Sequence, residues 1–96
     1  MQGLDIQLIN LDGSDNRLAS ATAALAQAGL TFRRMPAFDG RKTPPEDLPL
    51  YDAREAMRMF GRKLTGAEVA CFLSHLEAAR RFLESGRTYG LVFEER

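Results

Sequence analysis

The only cysteine and the only histidine of the chain, Cys71 and His75, stand four residues apart in "LTGAEVACFLSH", residues 64 to 75, behind a glutamate, Glu68. On a helix that spacing lets the two side chains touch, as a thiolate and imidazole pair requires. It is also the spacing of a small core residue beside a histidine that hydrogen-bonds a neighbouring loop. Both readings stand on the residues alone. A second set of polar groups is spread along the chain, Asn10, Asp12, Asp39 and Glu94, and they matter only if the fold gathers them.

The elements that would position them can be read from pattern. "LDIQLINL", residues 4 to 11, is aliphatic with little polar interruption and predicts a strand covered on both faces, with Asn10 and Asp12 at its carboxyl end. "GSDNRLASATAALAQAGL" follows as a helix, with Ser14 or Asp15 as N-cap, Leu18, Thr22 and Leu25 along one face, and Gly29 as its stop. "TFRRMPAF" suits a second strand that Pro36 pushes toward an edge, with Asp39 and Gly40 turning the chain after it. Residues 41 to 50 hold three prolines and predict a surface loop. In "DAREAMRMF", Asp52 and Glu55 have capping-box spacing, Met57 and Phe60 are the expected apolar contacts, and Gly61 ends the helix.

Thr65 and Glu68 form a second capping box at the head of a longer helix. At 100° per residue, Val69, Phe72, Leu73, Leu76 and Leu83 make one expected buried stripe, and Glu68, Cys71, His75 and Phe82 a second beside it. Ser74 lies off both. Gly86 stops this helix, and "TYGLVF" makes a third strand ending in Glu94, Glu95 and Arg96. Strand, helix, strand, helices, strand is the order of an α/β fold with a mostly parallel sheet and flanking helices. In such sheets ligands bind beyond the carboxyl ends of the strands, which draws Asn10, Asp12, Asp39 and Glu94 toward one edge. A three-stranded sheet also leaves edges open, so pairing with another copy of the chain, or poor solubility unless the edges are covered, is expected.

Composition narrows the function classes. Ninety-six residues, 45% hydrophobic and 27% charged, describe one domain over residues 1 to 96. Thirteen basic residues balance thirteen acidic ones, so no nucleic-acid surface is expected, and the paired arginines at 33 to 34 and 80 to 81 read as solvated edges. One cysteine with one histidine falls short of the four ligands of a structural zinc site. The N-terminal "MQGLDIQLINLDG" lacks the basic start and long apolar stretch of a signal peptide, and no apolar run reaches membrane-spanning length, so a cytoplasmic chain is expected.

In order and spacing, "INLD" with Arg17 six residues after Leu11, then "AFDG", then "LTGAEVACFLSH", then "GLVFEE" resemble the N-terminal part of glycosyltransferase family 25, the bacterial lipopolysaccharide and lipooligosaccharide glycosyltransferases. The most specific piece is the family's Leu-Thr, Glu, Cys, Ser-His pattern, met by Leu64, Thr65, Glu68, Cys71, Ser74 and His75 when Gly66 and Ala67 are read as the two residues before Glu68. The resemblance implies a partial GT-A-like, Rossmann-like fold that transfers a sugar, often galactose, from a nucleotide donor such as a uridine diphosphate sugar to a growing saccharide acceptor. Carried over position by position, it assigns Asn10, Arg17, Asp39, His75 and Glu94 to the donor side. Glu94 matches the first residue of the Glu-Asp-Asp that closes the third strand in the family, while Glu95 and Arg96 stand where the family has aspartates. A Glu94 and Glu95 pair could hold Mn²⁺ or Mg²⁺ against a diphosphate. Arg96 could pair with a phosphate directly or be a solvated terminus. The family's transferases need further strands for acceptor and base, so this chain alone is expected to be weak or inactive in transfer. No catalytic residue is assigned. The alternative is a noncatalytic nucleotide-binding or interaction module.

Overall fold

The backbone begins as the pattern suggests, with a strand β1 at Leu4–Asn10 whose residues beyond Leu4 are all buried. The structure is a computed structural model and describes residues 3–95; Arg96 lies outside the described residues. Helix α1 (Asp15–Gln27), strand β2 (Arg33–Pro36), a single 3-10 turn (Pro45–Asp47), helix α2 (Ala53–Phe60), helix α3 (Gly66–Ser85) and strand β3 (Tyr89–Glu94) complete the order. The chain is an α/β fold with an open, all-parallel sheet in the order β2-β1-β3, in keeping with a partial Rossmann-like fold. It divides into two compact units, residues 1–37 with 74–96 and residues 38–73, the cut falling within α3.

In the first unit β1 is central, which is why its aliphatic run is continuous. Ile9 is buried with Met35 of β2 and Ala78 of α3, and Ala37 packs against them. Because side chains alternate along a strand, Asp5, Gln7 and Ile9 share one face and Ile6, Leu8 and Asn10 the other. The first face is the one α3 covers: Gln7 Nε2 donates to the Ala78 carbonyl at 2.7 Å and to Asp5 Oδ2 at 3.2 Å. Arg33, in register with Gln7, reaches the same face and grips the buried Asp5 through two bonds of 2.9 Å. Phe82 of α3 lies over β3 at Gly90, where a Cβ would come within 2.7 Å of its ring. α1 is mostly exposed. Leu25 is its buried residue, while Thr22 is exposed and its hydroxyl donates back to the Leu18 carbonyl.

The second unit is built around two helix starts. Asp52 caps α2 by accepting from the amides of Arg54 and Glu55, and Gly61, at φ 72°, closes it. Glu55 instead pairs with Arg58. Thr65 and Glu68 form the expected capping box at the start of α3: the Thr65 amide donates to Glu68 Oε1 at 2.9 Å, and the Glu68 amide donates to Thr65 Oγ1 at 3.2 Å.

The expected packing faces need correction. On α2 the buried residue is Ala56, and Met57 and Phe60 are exposed. On α3 Val69 and Leu73 are buried, but so are Ala70, Ser74 and Ala78, whereas Phe72, Leu76 and Leu83 are exposed. Small residues repeating every four positions let the helix backbone come close, so the buried face is the one with the smallest side chains. In the second unit that closeness is extreme where Gly40 faces Gly66: a Cβ on Gly66 would lie 1.9 Å from the Thr43 carbonyl oxygen and 2.3 Å from that of Gly40.

The Arg62 guanidinium grips both Glu68 oxygens, at 2.9 and 2.6 Å. Hydrogen bonds from Arg62 and then from the Thr65 amide hold the Glu68 carboxyl at about 2, below its ordinary 4.5. A depressed folded value means the stabilisation is complete above the unfolded value of 4.5 and is lost as pH falls through about 2. The expected outcome is that Glu68→Gln melts below the parent chain near neutral pH and that this gap closes on acidification across that window. Circular dichroism melts check it, and a gap of constant size would overturn the assignment.

Candidate functional site

The pleat explains how the carboxyl end of the sheet is furnished in the first unit. Glu94 is in register with Ile9, so it shares the face covered by α3, and its Oε2 lies 3.2 Å from His75 Nε2. Glu95 is one residue further and turns to the other face, where Arg17 of α1 donates to its Oε1 at 3.3 Å. Adjacent carboxylates are thus drawn apart, one to a histidine and the other to an arginine. Both pairs are open to solvent: the His75 and Glu94 side chains are 47% and 28% exposed.

Asn10 ties this end together from beneath. Its Nδ2 donates to the carbonyls of Glu95 at 2.9 Å and Ser14 at 3.3 Å. Its Oδ1 accepts from Arg34 Nε at 3.0 Å, and Arg34 Nη2 also donates to the Asn10 carbonyl at 3.0 Å and to Asp12 Oδ1 at 2.8 Å. One buried amide therefore fixes the end of β1, the start of α1 and the residue after β3. The Glu95 amide, donating to the Ile9 carbonyl at 2.9 Å, extends the ladder one residue past β3. These bonds tie the edge together and leave the Arg17, His75, Glu94 and Glu95 side chains at its rim.

Of the expected donor-side residues, Asn10, Arg17, His75 and Glu94 come together here with Glu95. Asp39 belongs to the second unit, where Arg41 grips its carboxylate at 2.9 and 2.7 Å and the Arg41 amide donates to it at 3.2 Å. Cys71, half-buried, also belongs to that unit. Of the arginine pair at 33 to 34, Arg33 is exposed as expected yet serves Asp5, whereas Arg34 is half-buried and serves Asn10 and Asp12. Arg34 is the residue of this sheet edge that pattern reading missed. Its signal was available, since in register with Leu8 it must share the face of Asn10 two residues on. Arg80 and Arg81 do remain on the helix surface, paired with Glu77.

Chemically, the rim combines two cationic or protonatable groups with two carboxylates at the place where parallel sheets bind ligands. His75 Nε2 and Glu94 Oε2 stand as far apart as two ligands of one cation, and Arg17 is of a type suited to phosphate. The family model described as Glycosyltransferase family 25 (LPS biosynthesis protein) matches residues 4–95. No curated protein and no solved structure matches the chain.

Proposed function

The chain belongs to glycosyltransferase family 25, the lipopolysaccharide biosynthesis family, and on that premise we propose that its sheet edge is the donor half-site of a nucleotide-sugar-dependent transferase. The family supports a glycosyltransferase role in lipopolysaccharide synthesis, with a sugar donor and a saccharide acceptor as partners in general. The finer reading is a uridine diphosphate sugar, with galactose as the transferred group, used in the cytoplasm. Pairing of copies through the open edges of β2 and β3 belongs to the same proposal.

The observation that carries it is the cluster at the carboxyl end of the parallel sheet, where Asn10 holds the frame and Arg17, His75 and Glu94 face outward. Arg17 would pair with a diphosphate oxygen once Glu95 yields it. Glu94, with His75 beside it, fits a divalent cation such as Mn²⁺ or Mg²⁺ by donor type and by their 3.2 Å spacing. Glu95 would serve as a more remote partner, because its side chain is drawn to Arg17 on the other face. When bound, such a cation offsets the charge of the diphosphate leaving group.

Calorimetric titration with a uridine diphosphate sugar, with and without Mn²⁺, tests the reading. Metal-dependent binding that Glu94→Ala weakens by at least about tenfold is expected, the loss of one charged ligand. No binding in either condition would remove the donor half-site. Metal-dependent binding without transfer to any saccharide would instead favour the noncatalytic nucleotide-binding module.

A further inference from the structure

The two open edges of the sheet are not alike. β2 carries two arginines and Pro36, and because the Ala37 amide donates to the Asn10 carbonyl, the amide missing at Pro36 is missing from the outer side. Charge and proline of this kind discourage strand pairing. β3 runs Tyr-Gly-Leu-Val-Phe before Glu94, with neither, and all six of its residues are exposed. Tyr89, at 69%, Leu91 and Phe93 share the face of Leu4, Ile6 and Leu8. Ile6 and Leu8 are buried, while the β3 residues beside them are not.

The backbone restricts what can extend this edge. The Tyr89 amide donates to the Gly3 carbonyl and the Glu95 amide to that of Ile9. Alternation along the strand therefore turns the polar groups of Gly90, Val92 and Glu94 outward, and among the described residues β3 pairs with β1 alone. A two-fold contact between identical strands runs them antiparallel, since a parallel ladder needs a one-residue stagger that breaks the symmetry. Outward groups must also meet outward groups. Of the registers this allows, the one centred on Leu91 sets Tyr89 opposite the partner's Phe93 and Leu91 opposite its own copy, at the non-hydrogen-bonded positions where side chains stand closest. On the other face Val92 meets the partner's Gly90, which has no side chain to obstruct it. The same register sets Arg87, two residues before β3, opposite the partner's Glu95, one residue after it. A shift of two residues either way loses that pairing of opposite charges.

We infer that β3 pairs antiparallel with β3 of a second copy, in the register centred on Leu91, and that each copy's Arg87 is thereby brought to Glu95 of the other. In the single chain Glu95 holds Arg17. The partner's Arg87 competes for that carboxylate and releases Arg17 to a diphosphate, a consequence that rests on the donor reading.

The test is sedimentation velocity of the full chain over a range of concentrations, without nucleotide. A concentration-dependent dimer is the expected result. Val92→Pro should leave a monomer whose circular dichroism melt matches that of the dilute parent, because the amide it removes faces the open edge. Arg87→Glu should weaken the dimer about tenfold, from roughly threefold at each of two symmetric pairs, and adding Glu95→Arg should restore it, which a role confined to one chain would not do. A chain that stays monomeric, a dimer that survives Val92→Pro, or a double variant that associates no more tightly than Arg87→Glu overturns the inference. So does a dimer that Phe60→Ser abolishes, because that would put the contact on α2. Titration with a uridine diphosphate sugar separates the two readings. Binding about tenfold tighter by the dimer than by the Val92→Pro monomer is expected from one released charged contact, and equal binding removes the part played by Arg87. Binding by neither removes the donor reading and leaves the strand pairing standing.

Discussion

Gly66→Ala is expected to lower stability by about 3 kcal/mol, the upper end of the usual cost of overpacking, and to lower Tm by about 15 °C for a chain of this size. Helix propensity predicts the opposite sign, since alanine favours a helix over glycine by ~1 kcal/mol. The steric term wins because the added carbon would meet two backbone carbonyls, of Thr43 and Gly40, rather than a side chain that can swing away. Gly40→Ala should behave alike, its Cβ falling 2.2 Å from the Gly66 carbonyl oxygen. Gly61→Ala separates the two causes. It has a positive φ of 72° and nothing within 4 Å of its Cβ position, so it should cost only about 1 kcal/mol. Thermal melts of the three variants check the account, and a Gly66→Ala chain no weaker than Gly61→Ala would refute the close approach.

Asn10→Asp should be the most damaging isosteric change at the sheet edge, costing about 2 to 3 kcal/mol. The substitution keeps the acceptor that Arg34 uses but places an oxygen against the carbonyls of Ser14 and Glu95, where an amide now donates. Asn10 is 1% exposed, so water cannot fill in for the lost donor. Arg34 sits beside the new carboxylate and returns part of the loss. The positions of Glu94 and Glu95 depend on that amide, so uridine diphosphate sugar binding should fall by about tenfold or more, the worth of one misplaced charged contact. A variant with unchanged Tm and unchanged binding would show that Asn10 is not the anchor of this edge.

Much of this was legible from pattern because the relevant physics is local. β1 betrays itself by an uninterrupted aliphatic run, and the Thr65 and Glu68 box by its three-residue spacing. The edge position of β2 follows from Pro36, and the stops at Gly29, Gly61 and Gly86 from glycine's ease at positive φ, which all three adopt. The rule that parallel sheets present their carboxyl ends to ligands drew Asn10, Asp12, Asp39 and Glu94 to one edge; Asn10, Asp12 and Glu94 stand at strand ends of the first unit, while Asp39 belongs to the second.

What escaped was decided by packing between distant segments. Weighing hydrophobicity selected Phe72, Leu76 and Leu83 as the buried stripe of α3, but close approach selected Ala70, Ser74 and Ala78, and size outweighed apolarity. Glu55 has capping-box spacing, yet Arg58 one turn later engages its carboxylate. The arginines at 33 and 34 look like surface charge until the register assigns one to Asp5 and the other to Asn10. Gly40 and Gly66 reveal their mutual contact only in three dimensions.

The central claim is that the donor diphosphate and its cation bind at the carboxyl end of the sheet. Mn²⁺ tests this most directly, because its unpaired electrons broaden amide resonances near where it sits. In spectra of the ¹⁵N-labelled chain with a uridine diphosphate sugar, substoichiometric Mn²⁺ should broaden the amides around Asn10 to Gly13, His75, Glu94 and Glu95, and Glu94→Ala should abolish the effect. Broadening centred on the opposite end of the sheet, around Gly29 to Arg33, or none at any ratio of metal to protein, would contradict the account.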